Sequence, residues 1–92
     1  IKDNAFSRQF ETTLNGKLVA LEYSTQEKKI FLSKIILPEG FDDEIFIDEF
    51  IKTILDHIEV QKLKVVPVFP RIAKFIKLNP RYKDLLPPGI KI

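Results

Sequence analysis

Few side chains in this chain could carry chemistry. His57 is its single imidazole, and the 92 residues contain no cysteine. That excludes disulfides, thiolate zinc sites and a cysteine nucleophile, and no histidine pair exists to hold a metal. A lone His beside an apolar helical stripe is more often a boundary residue than a catalytic base. Carboxylates do cluster, as Asp42-Asp43-Glu44 and Asp48-Glu49. Adjacent residues on a helix point to different sides, so neither run can converge as an acid–base pair within one element. At a helix start they suit the free N–H groups and the positive end of the dipole instead. Only three glycines are present, and neither a G-x-G-x-x-G nor a G-x-x-x-x-G-K-[ST] pattern occurs.

The charge is unevenly spread. Acids gather between Glu39 and Glu59, where Lys52 is the one base, whereas from Lys62 onward Asp84 is the one acid. A basic C-terminal third could attract a phosphorylated ligand, a nucleic acid or an acidic partner. Aromatics are not interleaved with bases along a strand, so nucleic acid is not the expected partner. No stretch approaches the ~20 apolar residues that span a bilayer, and no membrane association is expected. The start, Ile1-Lys2-Asp3, is followed by no apolar signal region and has no initiator Met. The expectation is a cytoplasmic domain whose natural chain begins upstream. With 45% apolar and 11% aromatic residues, this length fits one folded domain with one core.

Those residues must be positioned by elements that the patterning predicts. Phe6 to Thr13 reads as a strand, Asn15-Gly16 as a hairpin turn, and Lys17 to Ser24 as a second strand. Lys28-Lys29 marks another turn before a third strand, Lys29 to Leu37. Pro38-Glu39-Gly40 breaks the run. Ile47, Phe50, Ile51, Ile54, Leu55 and Ile58 then recur at helical spacing, predicting a helix capped by Asp42 or Asp43 and ending near Gln61. Lys64 to Phe69 is a short strand in which Pro67 lacks a ladder donor, so it is an edge or splays from its neighbour there. Pro70 opens a second helix that Asn79-Pro80 ends. Tyr82 to Leu86 adds a turn, and 87–92 form a short tail. The fold class is α+β: an antiparallel β-meander followed by α-β-α, with helices on a mostly antiparallel sheet and a core over about 6–86.

The segment Lys64-Val65-Val66-Pro67-Val68-Phe69-Pro70, followed by Ala73, Ile76, Asn79-Pro80, Tyr82 and Leu85, resembles the small single-domain, YjdJ-type branch of the GCN5-related N-acetyltransferase (GNAT) superfamily. In that branch a strand ending in Pro-x-Cys-Pro leads into a helix closed by His/Asn-Pro-x-Tyr. Gly16 to Tyr23 is similar to an earlier strand of the family, and Ile35 to Pro38 to the strand entering its phosphate loop. The resemblance runs from about Phe6 to Leu86. It implies a GNAT fold and acetyl-CoA as cofactor, without a metal. It also implies pantetheine contacts at the amides of Ile36 and Leu37, and pyrophosphate contacts at Asp43, Glu44, Ile45, Phe46 and Ile47. Asn79 and Tyr82 would then flank the cofactor groove. It assigns no catalytic residue.

The phosphate loop of the family reads roughly Arg/Gln-Gly-x-Gly-Ile-Gly/Ala. Here Asp42 replaces the basic residue, Asp43, Ile45 and Ile47 replace the small ones, and Phe69 replaces the Cys. Glycines let a diphosphate approach the N–H groups of a helix start, and carboxylates compete for them. At ~4 Å and an effective dielectric near 20, a like-charge contact costs about 4 kcal/mol. A micromolar affinity is only about 8 kcal/mol, so two or three contacts would cancel much of it even when screened. The expected function is therefore a non-catalytic or weakly cofactor-binding descendant of the fold, used as an interaction domain. The alternative is an active N-acetyltransferase that acts on an unknown amine and meets the CoA phosphates through Arg71, Lys74 and Lys77. A third is nucleic-acid binding by the basic C-terminal third. A protein partner, a monomer and an edge-strand dimer all remain open.

Overall fold

The computed structural model of the protein describes residues 1–92. The strands are β1 (Lys2–Asn4), β2 (Gln9–Leu14), β3 (Lys17–Gln26), β4 (Lys29–Ile36) and β5 (Lys64–Pro67). The helices are α1 (Glu44–Val60) and α2 (Pro70–Leu78), followed by a 3₁₀ helix at Pro80–Leu85. One sheet runs in the order β1-β2-β3-β4-β5. Its first four strands are an antiparallel meander, and β5 lies parallel to β4 at the edge. That is the edge position which Pro67 requires. A parallel neighbour needs a crossover, and α1 supplies it. The architecture is α+β with a mostly antiparallel sheet.

Two tight turns set the register of the meander. Leu14 pairs with Lys17 across Asn15-Gly16, and both turn residues have positive φ (54° and 75°). This is the type I′ geometry whose twist suits flanking strands. The next turn is Glu27-Lys28, not Lys28-Lys29 as the sequence suggested, because Gln26 pairs with Lys29. Glu27 and Lys28 also adopt positive φ (52° and 64°), so a two-residue connection overrides their poor fit to that region. A second correction concerns Phe6. It does not open a strand but lies in a turn, 95% exposed. Asn4 Oδ1 accepts from the Ser7 N–H at 3.1 Å and Arg8 turns left-handed, which adds β1 as an extra strand and delays β2 to Gln9.

The inner face of the sheet carries Phe10, Val19, Leu21, Ile30, Leu32, Ile35 and Val65, all buried. Against it packs the α1 stripe Ile47, Phe50, Ile51, Ile54, Leu55 and Ile58, as its spacing predicted. Helix α2 adds Ile72, Phe75 and Ile76 beside α1, in the same layer. The C-terminal segment is partly bound rather than free: Pro87 is buried and Ile92 packs against the core. No helix is long and apolar enough to cross a membrane.

Candidate functional site

Strand β4 outruns its neighbour. It pairs with β5 only from Lys29↔Lys64 to Leu32↔Pro67, while β4 itself continues to Ile36. Pro67 has no N–H to give, and the last bond is the Phe69 N–H to the Leu32 carbonyl at 3.0 Å. A β-bulge falls at the same level. Tyr23 pairs with Leu32 and Glu22 with Lys34, leaving Ser33 as the extra residue, its Oγ donating to the Glu22 carbonyl at 3.1 Å. A bulge shifts the side-chain alternation by one. Leu32 and Ile35 therefore both face the core, and Ile36 turns to the other side. Ile36 and Leu37 are both half-buried, and Leu37 packs against the core.

The chain then enters α1 through a tight turn in which the Phe41 N–H bonds to the Pro38 carbonyl at 3.1 Å and Gly40 takes a φ of 74°. Asp43 is the N-cap, its Oδ1 accepting from the Phe46 N–H at 3.0 Å. A helix start leaves its first N–H groups without intrahelical partners, and this one has supplied its own anion. Phe41 packs edge-on to Phe46 at 5.8 Å and fixes the entry of the chain. Ile45 projects into solvent, 78% exposed, whereas Ile47 is a core residue, 4% exposed. The two isoleucines at the small positions of the loop thus do different things.

Facing this turn is Arg71, in the first turn of α2. Its guanidinium is ion-paired to Glu44 and, at 2.9 Å, to Asp48, and it reaches the Glu44 carbonyl at 3.4 Å. Partial burial pulls against its charge, but the two carboxylates win and raise its pKa. The arginine straps the start of α1 to the start of α2. Beside the strap lies a groove of about 290 Å³, walled by Glu44 and Asp48 on α1 and by Lys74, Phe75, Leu78 and Asn79 on α2. Lys74 makes no ion pair within 4 Å.

Asn79 closes α2, its Nδ2 donating to the Phe75 carbonyl at 2.9 Å, at one end of the groove. Tyr82 lies elsewhere. It is buried, packs on Phe75 with ring centroids 5.7 Å apart, and donates its hydroxyl to Asp56 Oδ1 at 2.8 Å. The Arg81 guanidinium stacks 4.2 Å above its ring. Burial and the Asp56 carboxylate raise the Tyr82 pKa. At Asp56 burial acts upward, but the Tyr82 hydroxyl and the Lys52 ammonium prevail and lower its pKa. His57 sits edge-on to Phe10, ring centroids 5.8 Å apart, with no side-chain hydrogen bond.

The structure thus places Asp43 to Ile47 at the start of α1 and Asn79 at the far end of α2 from Arg71; of those five loop residues only Glu44 lines the groove that Asn79 closes. Ile36 and Leu37 lie at the β4 exit, and Tyr82 lies against the middle of α1. Sequence reasoning missed Arg71 as a bridge and offered it only as a contact for CoA phosphates in the alternative reading. Its acids are 27 and 23 residues away, beyond any local pattern. Only the right-handed β4–α1–β5 crossover, which sets two helix starts at one end of the sheet, could have suggested it. No group of His, Asp or Glu is placed to hold a metal ion.

A family model described as GCN5-related N-acetyl-transferase matches residues 9–85, from β2 through the 3₁₀ helix. No curated protein matches the chain. The matched span holds the whole meander after β1, the parted β4–β5 pair and both helices. The chain belongs to the GCN5-related N-acetyltransferase family.

Proposed function

We propose that this domain is a non-catalytic or weakly cofactor-binding member of the family that serves in binding or interaction. The observation that carries the reading is the start of α1. Acetyl-CoA would need its pyrophosphate at the N–H groups there, yet Asp43 already bonds to the Phe46 N–H. Glu44 and Asp48 hold Arg71, the cation that faces the turn from α2. A diphosphate arriving at this turn would meet three carboxylates (Asp42, Asp43 and Glu44) and would have to displace a cap worth about 1 kcal/mol. The residues at this turn do not fit the group.

The alternative, an N-acetyltransferase holding CoA in another way and acting on an unknown amine, draws on one observation. Lys74 is an uncommitted cation in the groove that Asn79 closes. Thermal denaturation with millimolar CoA and acetyl-CoA separates the two. A ligand at 100 times its Kd adds ~2.7 kcal/mol to stability. For a domain this small that is a rise in Tm on the order of 10 °C or more. No rise is expected for the natural sequence, and a rise is expected for the triple variant Asp42→Arg, Asp43→Gly, Ile45→Gly. A rise in the unmodified protein that Lys74→Glu abolishes would favour the alternative mode of CoA binding, and acetyl transfer to an amine would then complete it.

A further inference from the structure

Helices α1 and α2 both lie on the face of the sheet that carries Phe10, Leu21 and Leu32, and they are tied to each other through Arg71 and Tyr82. The opposite face has no helix on it. Strand β3 presents Leu18, Ala20, Glu22 and Ser24 there, β4 presents Phe31, Lys34 and Ile36, and β5 presents Val66, with Val68 just beyond its end. Leu18 is 46% and Val68 55% exposed, while Phe31, Ile36 and Val66 are half-buried. An apolar stripe thus crosses the open face beside the Glu22–Lys34 pair, with Glu11 of β2, Lys29 of β4 and Lys64 of β5 also on that face.

We infer that this face is a self-association surface, covered by a second copy of the chain about a two-fold axis that runs along the strands between β3 and β4. The register is what points to a copy of itself. Across β3 and β4, Ala20 pairs with Ile36, Glu22 with Lys34 and Ser24 with Phe31. Every pair sets a small or acidic residue on β3 against a large or basic one on β4. A two-fold axis along the strands keeps height and exchanges sides. It lays Glu22 on Lys34 of the second copy and Ser24 on its Phe31, with the fully buried Ala20 beneath the level of contact. Each contact occurs twice, as an isologous interface demands. Glu22 and Lys34 are free for this role, because the ion pairs of the chain use other residues.

Face packing also fits the fold better than pairing at an edge. β1 is three residues long and β5 carries Pro67, and short or proline-bearing edges discourage added strands. Two such faces would stack about 10 Å apart with strands offset by about 30°. Five strands at about 4.8 Å spacing make a face of roughly 20 by 25 Å. That is below the ~800 Å² per partner of a standard interface, so the dimer belongs to the weak, concentration-dependent class.

Sedimentation of the full chain from micromolar to millimolar concentration tests the inference, which does not depend on whether CoA binds. The unmodified protein should show a reversible monomer–dimer equilibrium. Glu22→Lys and Lys34→Glu should each weaken dimerisation at least tenfold, since each sets like charges together at both contacts. An equimolar mixture of the two variants should recover the dimer as a heterodimer, because positions 22 and 34 then carry opposite charges wherever they meet across the axis. Charge pairing within a single chain cannot produce that recovery. If a reversed charge impairs folding, judged by circular dichroism, Glu22→Gln and Lys34→Gln take its place, and each should weaken the dimer. A protein monomeric throughout, a dimer indifferent to the substitutions, or a mixture that stays monomeric overturns the proposal.

Discussion

Helix α1 begins with Asp43 bonded to the Phe46 amide and with Glu44 in its first turn, whereas α2 begins at Pro70 with no side-chain cap and with Arg71 in its first turn. By the helix dipole, the first arrangement is favourable and the second is not. The mismatch at α2 is relieved from outside, since Glu44 and Asp48 of α1 neutralise Arg71. The acids of α1 therefore act twice, on their own helix start and on its neighbour. The two starts differ in what holds them. That of α1 combines the exposed Asp43 cap with the Phe41–Phe46 contact and the buried Ile47, whereas α2 has no side-chain cap and is held by packing through Ile72, Phe75 and Tyr82. The carboxylates at the start of α1 are exposed, so those side chains can change without disturbing the core.

If that contrast is right, cutting the packing around α2 should hurt most. Tyr82→Ala removes a buried ring and its hydrogen bond to Asp56, which keeps Lys52 as a partner, and should lower unfolding stability by about 3–5 kcal/mol in a denaturant titration. A loss below about 1 kcal/mol, the ordinary cost of a point substitution, would break the comparison. A smaller effect lies toward the far edge of the sheet, where Tyr23 donates to Asp3 at 2.6 Å and burial, with that carboxylate, pushes its pKa up to about 12. A pKa raised on folding stabilises below the unfolded value of 10.0. That stability is lost as pH climbs toward about 12. Alkaline titration should show a decline of on the order of 1–2 kcal/mol after screening. Tyr23→Phe should remove its slope; an unchanged slope would assign it to other groups.

The cap comes next. Asp43→Ala should cost about 1 kcal/mol, and Asp43→Gly only a few tenths. Equal losses would mean that the Asp43 bond to Phe46 contributes little. Smallest is the strap: Arg71→Ala should change stability by less than about 1 kcal/mol, and less still in roughly 1 M salt, because exposed ion pairs are weak and screened. A larger, salt-resistant loss would show that α2 depends on the strap after all and would reverse the contrast.

Much of the fold could be read without coordinates. The α1 stripe, the Asn15-Gly16 turn, the edge position of the Pro67 strand and the Pro70 start of α2 each follow from local rules that the folded chain obeys. The errors were local as well. Phe6 reads as a strand residue because aromatics favour strands, yet Asn4 and Arg8 bend the chain beneath it. Of the candidate site, the acidic helix start was legible because a cap bonds within three residues of itself. Arg71 was not, nor was the Tyr82–Asp56 bond, for their partners are set by how two helices lie together.

By itself, the sequence determined the elements, their order, the inward stripes and the self-capped start of α1, since period, turn chemistry and capping act over a few residues. Only tertiary structure decided that both helices share one face, that Arg71 joins their starts, and that Glu22 and Lys34 stand side by side on a bare sheet. Those outcomes depend on crossover handedness, strand register and a single bulge at Ser33, which bring together residues far apart in the chain.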